Sequence, residues 1–542
     1  MALECSTSFT AACGCASCCA ARRLSTSNFV ASIFRSSFHL EKWRRSITSG
    51  LAAASLPELV LEHKLTLSSW MKVWPGLLEK DEYMIVLDTS NTPSFKWEGW
   101  GTSLCWWANF VGGLPEKEQQ RVLDLLFDAE KGLGFTIVRY NIGGGAYTGG
   151  DSNLRPFADM PGFRPGGPSG PYVWAADARQ RSVLLGARAR GAQIFEAFSN
   201  SPPWWMTMSG SVTGNHNWGQ DNLDGKYYTA FVDYLTEVVR YYQDEHDLHF
   251  DYLAPFNEPV EGWWNINRSK AAQEGCNFRF SSMRQVVLDV KRALLDKGLS
   301  TKLSVFDAWS FNTPKLLRLM DEPLVSAIDQ VNVHTYINFV TREETARRKE
   351  VRQAVSSIGK RLWMSEYGPL NWNGNEWEVA VQVARHISLD INELQPSAWC
   401  YWQALEVPGS LWGLIQCLFT YQGKHDLQIR KQYQVLKHFS RFIRPGFEML
   451  PTEKFADSLV AARDESGTSL VLVVTNTSSR SKDVSYSTGC VPRIASKAFQ
   501  ASVFRSSASE DFVQLPSLAF TVESPNVVVW IPPKSVTTLV VF

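Results

Sequence analysis

Net charge is the first thing this 542-residue chain lacks: 54 Lys and Arg offset 54 Asp and Glu. No long run of one sign breaks the balance. A nucleic-acid partner is therefore excluded, because it needs a basic surface to neutralise phosphates. No apolar run reaches the roughly 18 residues that suggest a membrane span. Cysteine is scarce along most of the length. Five of ten (Cys5, Cys13, Cys15, Cys18, Cys19) fall in the first 19 residues, and Cys105, Cys276, Cys400, Cys417 and Cys490 are scattered. Scatter of that kind fits free buried thiols better than a disulfide framework, with one bridge left open. The tract Cys13-Gly-Cys15 with Cys18-Cys19 has no nearby histidine to complete a metal set, so no metal site is expected. A Gly-rich nucleotide turn after the first strand is also missing, which argues against a doubly wound open sheet.

Acidic residues are few in residues 1–57, with only Glu4 and Glu41 against Arg22, Arg23, Arg35, Arg44 and Arg45 in a Ser- and Ala-rich setting. That composition reads as an organelle transit segment more than a secretory signal. A disordered tail and a misassigned start stay open. Residues 58–96 form a lead-in, and Met84 to Asp88 within it reads as a strand joining the C-terminal domain. Two sequons, Asn267-Arg-Ser269 and Asn476-Thr-Ser478, matter only in a secreted protein.

What the chain has in abundance is alternation. Strand signals at Trp97–Ser103, Phe135–Tyr140, Gln193–Phe198, Tyr252–Phe256, Lys302–Phe306, Gln330–Val333, Arg361–Met364 and Ala398–Gln403 each precede a helix or a long loop. Helical spacing is clearest over Glu116–Glu130 and Tyr227–Tyr242, where Phe231, Leu235, Val238 and Tyr242 share a side. Repeated βα units over about 300 residues predict an α/β fold, a (β/α)₈ TIM barrel over 97–446. After 447 the period changes to two. Leu459–Arg463, Ser469–Thr475, Asn526–Ile531 and Val536–Phe542 predict a β-sandwich over 447–542.

Two glutamates stand at strand ends, Glu258 in Asn257-Glu-Pro259 and Glu366 in Ser365-Glu-Tyr367. Strand C-termini are where such barrels carry catalytic groups. A paired acid and carboxylate is the equipment for cleaving a glycosidic bond, with one held protonated and the other ionised. Each motif alone also reads as a solvated turn. Asn257 is placed to bond a sugar hydroxyl, or to satisfy loop backbone. Tyr336 either bonds Glu366 or packs the wall. Arg139 needs a carboxylate partner, Glu366 or another acid. His334 reads as a structural residue satisfying a loop. Thirteen of the 21 tryptophans are expected near the barrel mouth, among them Trp97, Trp100, Trp106, Trp205, Trp264, Trp372, Trp377, Trp399 and Trp402. Flat aromatic faces suit the C–H faces of pyranose rings.

Gly99-Trp-Gly-Thr-Ser103, Arg139-Tyr-Asn-Ile-Gly-Gly144, Phe198-Ser-Asn-Ser-Pro-Pro-Trp-Trp-Met206, Phe256-Asn-Glu-Pro259, Gln273-Glu-Gly-Cys276 and Trp363-Met-Ser-Glu-Tyr-Gly368 together resemble glycoside hydrolase family 30, its endo-β-1,6-galactanase branch. The resemblance runs from about Met84 to the C-terminus. It implies a barrel with an attached sandwich and a retaining hydrolysis without metal or cofactor. It also implies Glu258 as acid/base, Glu366 as nucleophile and β-1,6-galactan as substrate. Members of the family are usually secreted, so an extracellular location stands beside a plastid or other organelle. A monomer acting on an oligo- or polysaccharide is expected. Two alternatives stay open: a related glycosidase on β-1,6-glucan or glucosylceramide, and a non-catalytic carbohydrate-binding protein on the same scaffold.

Overall fold

The structure is a computed structural model, and it describes residues 81–85, 95–145, 154–267, 273–336, 341–370, 374–450, 452, 455–487, 498–521 and 526–542. The transit-like segment 1–57, the N-terminal cysteine tract and Trp372 lie outside the described residues.

A strand at Asp81–Ile85 (β1) comes first. The barrel strands then follow in chain order. They are β2 (Gly99–Ser103), β3 (Ile137–Asn141), β4 (Ile194–Phe198), β5 (Tyr252–Ala254), β6 (Lys302–Trp309), β7 (Gln330–His334), β8 (Arg361–Tyr367) and β9 (Ala398–Gln403). All neighbours pair in parallel, and β9 closes on β2, so the eight strands expected from the alternation form a closed (β/α)₈ barrel. Two strands run further than the pattern suggested. β6 extends through Asp307 to Trp309, and β8 contains Glu366 rather than ending before it. Both slip in register against β7, β6 by the extra residue Asp307 between Phe306 and Ala308, and β8 by the extra residue Ser365 opposite Val333 and His334. Those irregularities re-aim side chains near a rim.

Barrel interiors are usually filled by layers of branched apolar side chains. Here Ile137, Tyr252, Trp363, Ala398 and Cys400, with Ile194 packed against them, make one apolar cluster. Gly101 gives this interior its close fit, since a Cβ there would lie 2.5 Å from the Ile137 carbonyl oxygen. Two residues nearer the strand ends, the interior turns ionic: Arg139 on β3 stands in register with Glu196 on β4 and Ser103 on β2. An apolar floor beneath a charged layer holds the charges at the open end.

Beyond the barrel, a six-stranded sheet and a three-stranded sheet enclose a second apolar core with Leu459, Leu470, Leu472, Val484, Val529, Ile531 and Leu539. β1 pairs in parallel with Lys482–Ser487 in the smaller sheet, Asp81 to Ile85 against Lys482 to Tyr486. Strands at Ala498–Ser506 and Val513–Thr521 join the larger sheet. The larger sheet is apolar on both faces. Leu470, Leu472 and Val474 point into the sandwich, while Val471 and Val473 belong to the barrel's core cluster. Among the described residues, no helix is long and apolar enough to cross a membrane.

Candidate active site

Four consecutive barrel strands, β5 to β8, deliver an acid or an imidazole each to the same corner of the mouth. Glu258 follows β5, Asp307 lies in β6, His334 ends β7 and Glu366 lies in β8. One ligand atom from each of Glu258, His334 and Glu366 lies within 4.8 Å of the others. All four side chains are buried. Glu258 and Asp307 both hold left-handed backbone, φ +48° and +50°. The Glu258 N–H donates to the Asp307 carbonyl at 2.8 Å, so each turn locks the other. Left-handed backbone at a non-glycine residue is costly and concentrates at functional sites.

Arg139 ties the layer together. Its Nη1 lies 2.5 Å from Glu366 Oε1, its Nη2 2.8 Å from Asp307 Oδ1 and its Nε 2.6 Å from Glu196 Oε2. Both partners left open by the sequence are therefore present, Glu366 and other acids too. Ser304 Oγ and Asn332 Nδ2 donate to Glu196 Oε1, at 2.6 and 2.8 Å. Ser365 Oγ donates to Asp307 Oδ1 at 2.6 Å. A buried guanidinium among carboxylates is tolerable only with such complete pairing. Burial pushes the Asp307 carboxyl up, but Arg139 and His334 outweigh it and hold it below the ordinary range.

Around Glu366 the pulls oppose one another. Burial pushes its carboxyl up to about 7, while His334 and Arg139 pull it down. Tyr336 Oη donates to Glu366 Oε2 at 3.1 Å. The phenol contact read from the sequence is present, yet burial outweighs its help to the charged form.

Glu258 is ringed by N–H groups. Trp309 Nε1 donates to Oε1 at 2.6 Å, and Trp263 Nε1 donates to Oε2 at 3.1 Å. His334 Nδ1 stands 2.9 Å from Oε1 and 3.4 Å from Glu366 Oε2, and its Nε2 stands 3.1 Å from Asp307 Oδ1. His334 is therefore no loop-satisfying residue; it bridges the two glutamates and Asp307. Burial lowers the imidazole's affinity for a proton, but Glu366, Asp307 and Glu258 outweigh it and push the pKa up to about 10. Glu258, His334 and Glu366 have the spacing of a metal triad. A metal there would have to displace the proton that the surrounding carboxylates draw onto the imidazole, because a metal-ligating histidine must be neutral.

The remaining candidates divide. Asn257 is 2% exposed and neither of its amide atoms has a protein partner among the described residues. Buried polar groups are normally paired, so this amide is free for an incoming hydroxyl. Trp106 meets Trp402 edge to face at 5.5 Å, with the Arg155 guanidinium 4.3 Å above the Trp106 ring. Trp264 supports rather than lines: its Nε1 donates to the Glu258 carbonyl at 2.9 Å, while Trp263 reaches the carboxylate. Trp205 packs edge to face on Tyr227 at 5.4 Å and under Arg164. Trp97, Trp100 and Trp399 do not belong to the mouth. They are buried together, Trp97 4.6 Å from Trp100, and the Trp100 indole donates to the Ile443 carbonyl. Trp377 bonds the Lys534 carbonyl of the sandwich. Composition counts aromatics but does not say which side of a strand they take.

Asp307, Glu196 and Trp309 join the site without having been singled out in the sequence, whereas Trp263 was one of the thirteen mouth tryptophans and Glu274 lay within the Gln273–Cys276 motif. Glu274 accepts from Asn141 Nδ2 at 3.2 Å and from the Gly144 N–H at 3.0 Å. Gly275 makes room beside it, since a Cβ there would sit 2.1 Å from the Trp264 ring. The Gln273-Glu-Gly-Cys276 element thus seats Trp264 and, through it, Glu258.

Comparison with known proteins places the chain in a family. The family model for O-glycosyl hydrolase family 30 matches residues 82–316. An endo-beta-1,6-galactanase from Hypocrea rufa is 32% identical over 420 residues, 73% of this chain and 81% of that protein. An exo-beta-1,6-galactobiohydrolase from Bifidobacterium longum subsp. longum is 24% identical over 410 residues, 57% of this chain and 26% of that protein. Among solved structures, a conserved exported protein from Bacteroides fragilis superposes with a TM-score of 0.71 at 21% identity, covering 84% of this chain and all of that one. The catalytic domain of the GH30 xylanase C from Talaromyces cellulolyticus gives 0.62 at 20% identity, covering 85% and 100%. The chain belongs to glycoside hydrolase family 30 and is an O-glycosyl hydrolase similar to endo-β-1,6-galactanases.

Proposed function

We propose that this protein cleaves β-1,6-linked galactan, as in arabinogalactan side chains, with retention of anomeric configuration. The observation that carries the reading is the pairing of Glu258 and Glu366, one oxygen of each within 4.8 Å, from strands three apart around one mouth. Retaining enzymes hold their carboxyls about 5–5.5 Å apart, whereas inverting ones leave room for a water between them. Glu366, oriented by Arg139 and Tyr336, attacks the anomeric carbon. Glu258 protonates the departing oxygen, then takes a proton from water to release the sugar. Asn257, with its unpaired amide, takes the hydroxyl next to the reacting carbon. The galactan assignment is supported by the Hypocrea rufa relative.

Purified protein incubated with β-1,6-galactan, β-1,6-glucan and glucosylceramide tests the substrate. Release of galacto-oligosaccharides from the first alone is expected, with the β-anomer formed first by NMR. Hydrolysis of the glucan or the lipid instead would overturn the galactan reading. Binding of galacto-oligosaccharide without hydrolysis would favour a non-catalytic scaffold. Glu366→Gln is expected to abolish turnover, and near-normal activity in that variant would refute the nucleophile assignment.

A further inference from the structure

His334 lies between the two glutamates, and a purely structural histidine has no need to touch both. Its bond to Asp307 has a fixed direction, because an ionised carboxylate only accepts. Asp307 accepts from Arg139, from Ser365 and, through Oδ1, from His334 Nε2 at 3.1 Å, so Nε2 keeps its hydrogen. Only Nδ1 is left to exchange a proton, and it faces Glu258 Oε1 at 2.9 Å. The other Glu258 oxygen, Oε2, is held among the described residues by Trp263 at 3.1 Å. The carboxyl thus has one oxygen turned to the imidazole and one with a lone pair to spare.

We propose that His334 shares the catalytic proton with Glu258, so that the acid/base is the Glu258–His334 pair and not the carboxyl alone. The proposal rests on the reading of Glu258 as acid/base. In the first step the Oε2–H proton passes to the glycosidic oxygen as the bond from that oxygen to the anomeric carbon breaks and the bond from Glu366 forms. Oε1 takes the Nδ1 proton in the same event, leaving Glu258 a neutral acid and His334 a neutral imidazole. In the second step water attacks the anomeric carbon and gives a proton to Oε2. Oε1 returns its proton to Nδ1, and the Glu366 carboxylate is released. Protons balance over the cycle, and Glu258 never carries a full charge in its buried site. Instead the imidazole gives up its positive charge as Glu366 gives up its negative one in bonding to the sugar, and it regains that charge when the Glu366 carboxylate is released. The groups facing His334 are Glu258 and Glu261 beyond β5, Asp307 in β6, Tyr336 beyond β7, Glu366 in β8 and, through Asp307, Arg139 in β3.

A leaving group that needs no proton separates this role from a structural one. The kcat/KM of wild type, His334→Gln and Glu258→Ala is compared on β-1,6-galactotriose and on the dinitrophenyl glycoside of β-1,6-galactobiose. General acid catalysis contributes about 10²–10⁴-fold, so His334→Gln is expected to lose at least about 10²-fold on the triose and less than about tenfold on the dinitrophenyl glycoside. Equal losses on both substrates, or no loss on either, would overturn the relay. If Glu258→Ala shows no such split, the acid assignment itself falls. If Glu258→Ala shows it and His334→Gln does not, the relay alone falls. A proton inventory on the wild type in mixed light and heavy water needs no folded variant. A curved plot, two protons in flight on the triose, is expected, and a straight line would overturn the proposal.

Discussion

At the scale of single residues, the site is decided by which charges are allowed inside the barrel. Arg139 is fully buried and meets three carboxylates, so its removal strands them without compensation. Breaking a buried ion pair from one side costs about 3–5 kcal/mol. Arg139→Met is therefore expected to lower the unfolding free energy by at least that much, read as the denaturation midpoint, and to raise the carboxyls it served. A midpoint within error of wild type would show that Arg139 does not hold the layer. Only one of the three pairings was legible beforehand. Arg139 could be read as needing an acid, and Glu366 was one candidate. Glu196 and Asp307 could not be named, because a sequence gives the spacing along one strand and not which residues of different strands share a barrel layer. His334 looked like a loop residue for the same reason: its two glutamates sit 76 positions before it and 32 after it in the chain.

At the scale of elements, the loops after the strands matter as much as the strands. Gly275 stands beneath the Trp264 ring with no space for a methyl group. Overpacking costs about 1–3 kcal/mol, and here the displaced ring also carries the bond to the Glu258 carbonyl. Gly275→Ala is expected to lower kcat on galactan as well as the melting temperature; lost stability with an unchanged kcat would contradict the link to Glu258. Its neighbour Glu274 makes a pH prediction. Burial pushes its carboxyl up to about 8 from 4.5, against bonds from Asn141 and Gly144 that favour the charged form. The native state thus binds this proton more tightly than the unfolded chain does. Stability from this group is full below about 4.5 and falls as pH rises towards 8, by up to about 1.4 kcal/mol per pH unit. Glu274→Gln should flatten that fall in melting temperature between pH 5 and 8, and an unchanged slope would show that the group does not titrate there. The barrel strands themselves were legible from apolar runs between helical periods. Ala498–Ser506 and Val513–Thr521 were not, because Ser, Gln and Arg interrupt the first and Pro516 sits inside the second, where proline argues against a strand.

At the scale of the whole molecule, barrel and sandwich share one face. Val471, Val473 and Val536 of the larger sheet pack in the barrel's core cluster. His438, from the last barrel helix, bonds Thr538 at 2.8 Å and Ser506 at 2.9 Å. A shared apolar face with buried polar ties gives no reason for the sheet to melt separately. A single calorimetric transition is expected, and two resolved transitions would contradict it. The division into barrel and sandwich was readable because the hydrophobic period changes from helical to two near 447. The seam between them was not, since a strand that is apolar on both faces looks the same as one buried within a single domain.

The central claim is that Glu366 forms a bond to sugar while Glu258 serves the leaving oxygen. A dinitrophenyl β-galactoside carrying fluorine in place of the hydroxyl beside the anomeric carbon tests it directly, because the fluorine slows release of a covalent intermediate more than its formation. After proteolysis, mass spectrometry is expected to find one fluorogalactosyl group on the peptide that contains Glu366, and none in Glu366→Gln. A label on a different carboxylate, or turnover without any trapped adduct, would contradict the account.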